Sequence, residues 1–223
     1  MQNAPKPRTV VVWDLPTRVF HWLLVCLVAL SFVTAEIGGN AMRVHEWSGF
    51  TILALLLFRI GWGVVGSTSA RFRTFLVGPR RVLTYARTML APGGPHHLTH
   101  NPLGGWSVVA MIAALLLQAG TGLFATDDIM TQGPLYPRVG SSVGRMLTEV
   151  HEFNAGVILT LVGLHVAAVL FHLLYKRDNL ILPMLTGRRA WEDAAADLRC
   201  APLWLAALVA LLAGGAVVWI VRG

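Results

Sequence analysis

The sequence predicts an all-α integral membrane protein: a four-helix bundle followed by a fifth, C-terminal transmembrane helix. Two observations carry that reading. Hydrophobic residues make up 55% of the 223 and charged residues only 13%, with a mean hydropathy of +0.62, whereas a soluble domain averages about 25% charged residues. The apolar residues also fall into five blocks, at 20–35, 49–65, 106–125, 153–175 and 202–221. With flanking residues, each approaches the roughly 20 residues that a helix needs to cross a bilayer.

In chain order, residues 1–15 read as a polar cytoplasmic lead-in containing Pro5 and Pro7. Helix 1 enters at Pro16, a residue suited to a first helical turn, and leaves at Gly38-Gly39-Asn40. It lacks a small-residue cleavage site and is approached by Asp14, Arg18 and His21, so it is expected to be retained. Helix 2 runs from near His45 to Gly66-Ser67. Over 70–92, Phe72, Phe75, Leu76, Val82, Leu83, Tyr85, Ala86, Met89 and Leu90 are interspersed with arginines at helical spacing. This predicts an amphipathic helix lying in the interface, ended by Pro92-Gly93-Gly94-Pro95. Helix 3 follows Asn101-Pro102-Leu103-Gly104-Gly105, a long outer loop spans 126–148, and helix 4 runs from about His151 to Tyr175. A basic stretch over 176–199 leads to helix 5. The bundle domain is thus expected over 16–190, with a linker and fifth helix over 191–223.

The net charge of +7 is explained by topology. With a cytoplasmic N-terminus, Lys6, Arg8, Arg18, Arg59, Arg71, Arg73, Arg80, Arg81, Arg87, Lys176, Arg177, Arg188, Arg189 and Arg199 lie on or near the inner face. Arg43, Arg138, Arg145 and Arg222 lie outside. That is the positive-inside asymmetry, and it places the protein in the bacterial inner membrane with a periplasmic C-terminus. The basic residues then face anionic lipid headgroups rather than nucleic acid, for which no binding fold is present. Cys26 and Cys200 are expected at different depths and are not predicted to pair. There is no Cys-x-x-Cys-His for covalent haem attachment and no cysteine cluster for an iron–sulfur centre.

Ionisable residues inside a membrane helix are costly and point to function. His21 lies near the inner end of helix 1 and His45 at the outer start of helix 2. On helix 4, His151 and His165 are fourteen residues apart. That spacing returns them to one face within about 40° and separates them by about 21 Å. One helix therefore offers an imidazole near each leaflet, with His45 and His21 as partners at the two levels. Two axial histidines per site is the arrangement of a b-type haem in electron transfer, with no position left open for oxygen. His172, a further seven residues along, stays on roughly the same face and competes with His165 as partner of His21. A weak internal echo joins Val44-His45-Glu46-Trp47-Ser48-Gly49 to Val150-His151-Glu152-Phe153-Asn154-Ala155-Gly156. Neither His-Glu pair has a second histidine at zincin spacing.

With these residues in place, the chain resembles the bacterial cytochrome b561 group and the b-type cytochrome subunit of nickel–iron hydrogenases. The segments that carry the resemblance are Val12-Trp13-Asp14-Leu15-Pro16-Thr17-Arg18-Val19-Phe20-His21-Trp22, His45-Glu46-Trp47-Ser48-Gly49 and His100-Asn101-Pro102-Leu103-Gly104. His151, His165 and His172 follow, then Arg177-Asp178-Asn179-Leu180 and Met184-Leu185-Thr186-Gly187-Arg188-Arg189. The resemblance implies a four-helix core holding two haem b groups, one between His21 and His165 and one between His45 and His151. It favours His165 over His172, which it leaves as an additional inner-side or quinone-site histidine. It also implies electron exchange with quinone in a respiratory chain. The fifth helix departs from the four-helix pattern.

Arg43 and Arg18 are candidate partners of the haem propionates, Arg43 at the outer level and Arg18 at the inner. Arg59, inside helix 2, is expected to snorkel to headgroups, and His96, His97 and His100 to be solvated in the inner loop. The leading functional expectation is a transmembrane electron carrier between quinol and a redox partner, either a c-type cytochrome or a dehydrogenase or hydrogenase subunit. An electron-transfer subunit is placed ahead of a stand-alone oxidoreductase. The alternatives are a superoxide:quinone oxidoreductase, which the acidic outer residues Glu36, Glu46, Asp127, Asp128, Glu149 and Glu152 do not favour, and a haem-free transporter or assembly subunit.

Overall fold

A computed structural model describes residues 8–90, 96–129, 131–191 and 198–222. Five helices are long and apolar enough to cross a membrane: α1 (Leu15–Ile37), α2 (Met42–Val65), α5 (Pro102–Gly122), α6 (Gly140–Leu174) and α8 (Leu203–Arg222). The chain is a multi-pass all-α membrane bundle. Shorter elements are α3 (Phe72–Phe75), α4 (Pro79–Thr88), α7 (Ile181–Thr186) and the strands β1 (Arg8–Val11) and β2 (Arg188–Trp191).

The two strands define one end of the bundle. They pair antiparallel with Arg8 opposite Trp191 and Val11 opposite Arg188. The expected polar lead-in is therefore structured from Arg8 onward, while Lys6, Pro5 and Pro7 lie outside the described residues. Val12 and Trp13 continue the pairing by donating backbone N–H groups to Gly187 O at 2.8 and 3.2 Å. Gly187 closes α7 in the left-handed region at φ 79°, as a glycine after a helix end commonly does. A Cβ there would lie 2.7 Å from the Trp13 carbonyl oxygen, so the close approach of the two segments depends on its absence.

Asp14 starts α1. Its Oδ1 accepts from Thr17 N–H at 2.8 Å, an N-cap, and its Oδ2 accepts from the Trp62 indole at 3.0 Å. The start of α1 is thereby tied to the end of α2. Helix α2 is central and packs on α1, α5 and α8, whereas α6 packs on α5. The fifth helix thus covers α2, with Val209 against Gly61 and Ala206 and Ala213 in a cluster with Phe58 and Trp62. Toward α1 and α2, α6 presents side chains rather than closely packed backbone.

Several boundaries differ from expectation. Helix α5 begins at Pro102, capped by Asn101 Oδ1 accepting from Gly104 N–H at 2.7 Å; its two glycines made the start look like a turn. Helix α6 begins eleven residues before His151, because polar residues such as Ser141, Ser142, Arg145 and Glu149 hid the extra turns from a hydropathy reading. The interfacial segment is two helices, α3 and α4, broken at Gly78-Pro79. Phe75 of α3 is buried against Gly105. The stop expected at 92–95 lies outside the described residues, as does part of the linker, 192–197.

Candidate functional site

Four histidines meet in two pairs across the bundle. His45 of α2 and His151 of α6 have ring centres 6.1 Å apart, and His21 of α1 and His165 of α6 have centres 6.4 Å apart. The pairs are separated along α6 by about 21 Å. Between them lies an apolar layer of Ile52, Leu56, Ala114, Leu115 and Ile158, all buried. Ile158 stands seven residues from each α6 histidine.

The first pair is oriented by backbone carbonyls. His45 Nδ1–H donates to Ser31 O at 2.9 Å, and His151 Nδ1–H donates to Gln118 O at 2.9 Å, with Thr121 Oγ1 at 3.3 Å. Each bond fixes the tautomer that leaves Nε2 as a free lone pair aimed away from its own anchor. Gly122 lets the His151 ring lie against α5, since a Cβ there would sit 3.0 Å from His151 Cε1. Ser48 Oγ donates to His45 O at 2.8 Å and hydrogen-bonds Ser31 Oγ at 2.6 Å. Asn154, also buried, donates to Ala114 O at 2.9 Å and Gln118 Oε1 at 2.7 Å. Sequence reasoning singled out none of these supporting residues. The internal echo held a signal for two of them, because Ser48 and Asn154 both sit three positions after the histidine, on its own helical face.

The second pair lies toward the strand end. His21 packs edge-on to Trp22 with ring centres 5.0 Å apart, and its Nδ1 is buried without a hydrogen-bond partner. His172 is differently placed. Its Nδ1–H donates to Ala168 O at 2.9 Å and its Nε2 accepts from Asn101 Nδ2 at 3.3 Å, so both nitrogens are engaged. Arg18 donates from Nη1 to Leu185 O at 2.6 Å, which ties α1 to α7. Arg43 is exposed on the first turn of α2, two residues before His45.

Two expectations are corrected here. Arg59 does not snorkel: it is 3% exposed, with its guanidinium 4.8 Å from the centre of the Phe72 ring. Helix α3 folds back over it, a contact that no helical periodicity reveals. Nor is His100 solvated. It is packed between Trp13 and Phe75, with ring centres at 4.9 and 4.3 Å, and its Nδ1 is buried. Burial, and then the nearby Arg59 cation, lower its pKa to about 3, so it is neutral at pH 7. His97 Nε2 is likewise buried, beside the Tyr85 ring at 5.3 Å. His96 is the exposed member and approaches Asp178 at 3.6 Å.

Two imidazoles trans across one metal ion have a fixed separation. With bonds of about 2.0 Å and ring nitrogens about 1.1 Å from their ring centres, the centres lie about 6.2 Å apart. Both pairs fit that distance. Among the described residues, no group of three or more His, Cys, Asp or Glu could hold a bare metal ion. A profile of the prokaryotic cytochrome b561 family matches residues 12–187. The chain belongs to the prokaryotic cytochrome b561 family. It is a membrane b-type cytochrome of electron transfer, and the family implies that it binds haem b. It is also similar to the probable Ni/Fe-hydrogenase B-type cytochrome subunit of Rhizobium leguminosarum bv. viciae, at 23% identity over 225 residues, covering 86% of this chain and 93% of that protein. No solved structure matches it.

Proposed function

We propose that this cytochrome holds two haem b groups, one between His45 and His151 and one between His21 and His165, and passes electrons between quinone and a protein redox partner. The observation that carries the reading is the pair of cross-bundle separations, 6.1 and 6.4 Å, each close to that of two axial imidazoles. When bound, haem supplies a one-electron iron couple. The chain supplies the rest. His45 and His151 present Nε2 because Ser31 and Gln118 hold Nδ1. The layer of Ile52, Leu56, Ala114, Leu115 and Ile158 keeps water out between the levels. Arg43, exposed two residues before His45 on α2, is the candidate carboxylate partner at the first level, and Arg18 Nε, buried without a partner, offers a donor at the second.

Charge supports an orientation with the strand end in the cytoplasm and the end of α8 in the periplasm of the bacterial inner membrane, because most Lys and Arg gather at the strand end. The quinone head meets the protein at that end, where Asn101 and His172 form a half-buried polar pair at the mouths of α5 and α6. The partner, a c-type cytochrome or a dehydrogenase or hydrogenase subunit, docks at the opposite end. That the similar Rhizobium protein is named as a hydrogenase cytochrome subunit supports the latter class.

Duroquinol added to the purified protein in nanodiscs tests this. Both haems should become reduced, and His172→Ala should slow reduction at least tenfold at unchanged haem content. A dihaem protein that no quinol reduces would overturn the quinone assignment.

A further inference from the structure

Arg59 is the one cation buried within a membrane-spanning helix among the described residues. Its position is systematic. It follows His45 on α2 by fourteen residues, as His165 follows His151 on α6. Helices α2 and α6 run in the same direction, since each starts at the end opposite the strands. Fourteen residues return to the same face within about 40° and descend about 21 Å. Arg59 therefore lies at the depth of His165 and on the His45 face of α2, the face that also carries Ile52 and Leu56. Counted from the two histidines of the weak internal echo, it occupies the position that His165 holds on α6.

Among the described residues the guanidinium has no close counter-charge. Asp14 acts on it electrostatically, but the two form no ion pair within 4 Å. Each Asp14 oxygen already accepts one hydrogen bond, from Thr17 N–H and from the Trp62 indole. Phe72 covers one side of the guanidinium, a seat that Gly63 permits, since a Cβ there would lie 2.1 Å from the ring. Arg59 Nη1 is buried with no hydrogen-bond partner, as are Nδ1 of His100 and of His21 and Nε of Arg18 at the same end. An unpaired buried cation is strongly unfavourable, and among the described residues no side chain supplies its acceptor.

We propose that Arg59 is the buried counter-charge for a carboxylate of the haem held by His21 and His165, and that it raises the potential of that haem relative to the one at His45 and His151. This rests on the dihaem reading above. A fixed positive charge favours the reduced form, which has one positive charge fewer than the oxidised form, and nearby charge is among the terms that set a haem potential. The arrangement gives the bundle an electrostatic asymmetry: a buried cation serves the strand-end level, while at the other level Arg43 is exposed and solvated.

The test compares full-length Arg59→Met, which keeps the length and loses the charge, with Arg59→Lys, which keeps the charge. Haem per chain is measured by pyridine haemochrome and midpoints by potentiometric titration. In Arg59→Met one haem should titrate as in the wild type. The other should be lost or shifted down by at least tenfold in its redox equilibrium, which is about 59 mV for one electron. Arg59→Lys should keep both haems within that margin. Two unshifted midpoints in Arg59→Met would overturn the proposal, as would equal damage in Arg59→Lys and Arg59→Met, because shape rather than charge would then be at work. If Arg59→Met does not accumulate, Arg59→Lys decides: a wild-type midpoint supports the proposal and a lowered or missing haem overturns it. Failure of the dihaem reading has a different signature, namely a wild type with fewer than two haems or a His165→Ala variant that keeps two.

Discussion

Replacing His165 or His172 by alanine separates two histidines that the sequence places on one face. His165 has its ring centre 6.4 Å from that of His21, against about 6.2 Å for two imidazoles on one metal. His172 stands seven residues further along α6, displaced by about 10 Å along the axis, and both its nitrogens are occupied by Ala168 O and Asn101. His165→Ala should therefore halve the haem per chain. His172→Ala should leave haem unchanged and cost about 1–3 kcal/mol of stability, the value of two ordinary hydrogen bonds, while Asn101 retains its cap on α5 through Oδ1. The assay is pyridine haemochrome against protein concentration, with thermal melting in the same detergent. A His172→Ala protein at half the wild-type haem, beside a His165→Ala protein with full haem, would refute the assignment.

Three further outcomes follow from the same contacts. His45→Ala and His151→Ala should each remove one haem and spare the other, and two full haems in both variants would exclude that pair. Asp14→Ala should lower stability by about 2–4 kcal/mol, combining a lost N-cap with a buried, unsatisfied Trp62 N–H; an unchanged melting temperature would show that neither bond matters. His100 is neutral when folded down to about pH 3, whereas an exposed histidine takes up its proton near pH 6.5. Its folded pKa is thus depressed, so stability should fall as the pH drops from about 6.5 toward 3, by at most about 1.4 kcal/mol per unit from this group. His100→Phe should flatten that part of the melting-temperature profile, and an identical profile would contradict the burial argument.

The long helices were legible because each carries enough apolar residues in one run to announce itself, and the histidine pairs because fourteen-residue spacing maps directly onto one helical face. The remainder depends on contacts distant in sequence. The pairing of Thr9 with Ala190 joins two four-residue segments too short to show a period. Arg59 reads as an ordinary intramembrane arginine until Phe72 is seen folded over it. His100 lies in a glycine- and proline-rich neighbourhood that suggests solvent, and only the approach of Trp13 and Phe75, distant in sequence, covers its ring. Ser31, Gln118 and Thr121 are polar residues on apolar helices, and their roles as anchors appear once the rings of His45 and His151 are placed beside them.

The central claim is that one chain holds two haem b groups, each between two imidazoles. Haem stoichiometry and low-temperature electron paramagnetic resonance on the oxidised, purified wild-type protein test it together. The account predicts two haem b per chain, both low-spin with two nitrogenous axial ligands. A single haem, or a high-spin iron with an open axial position, would contradict it.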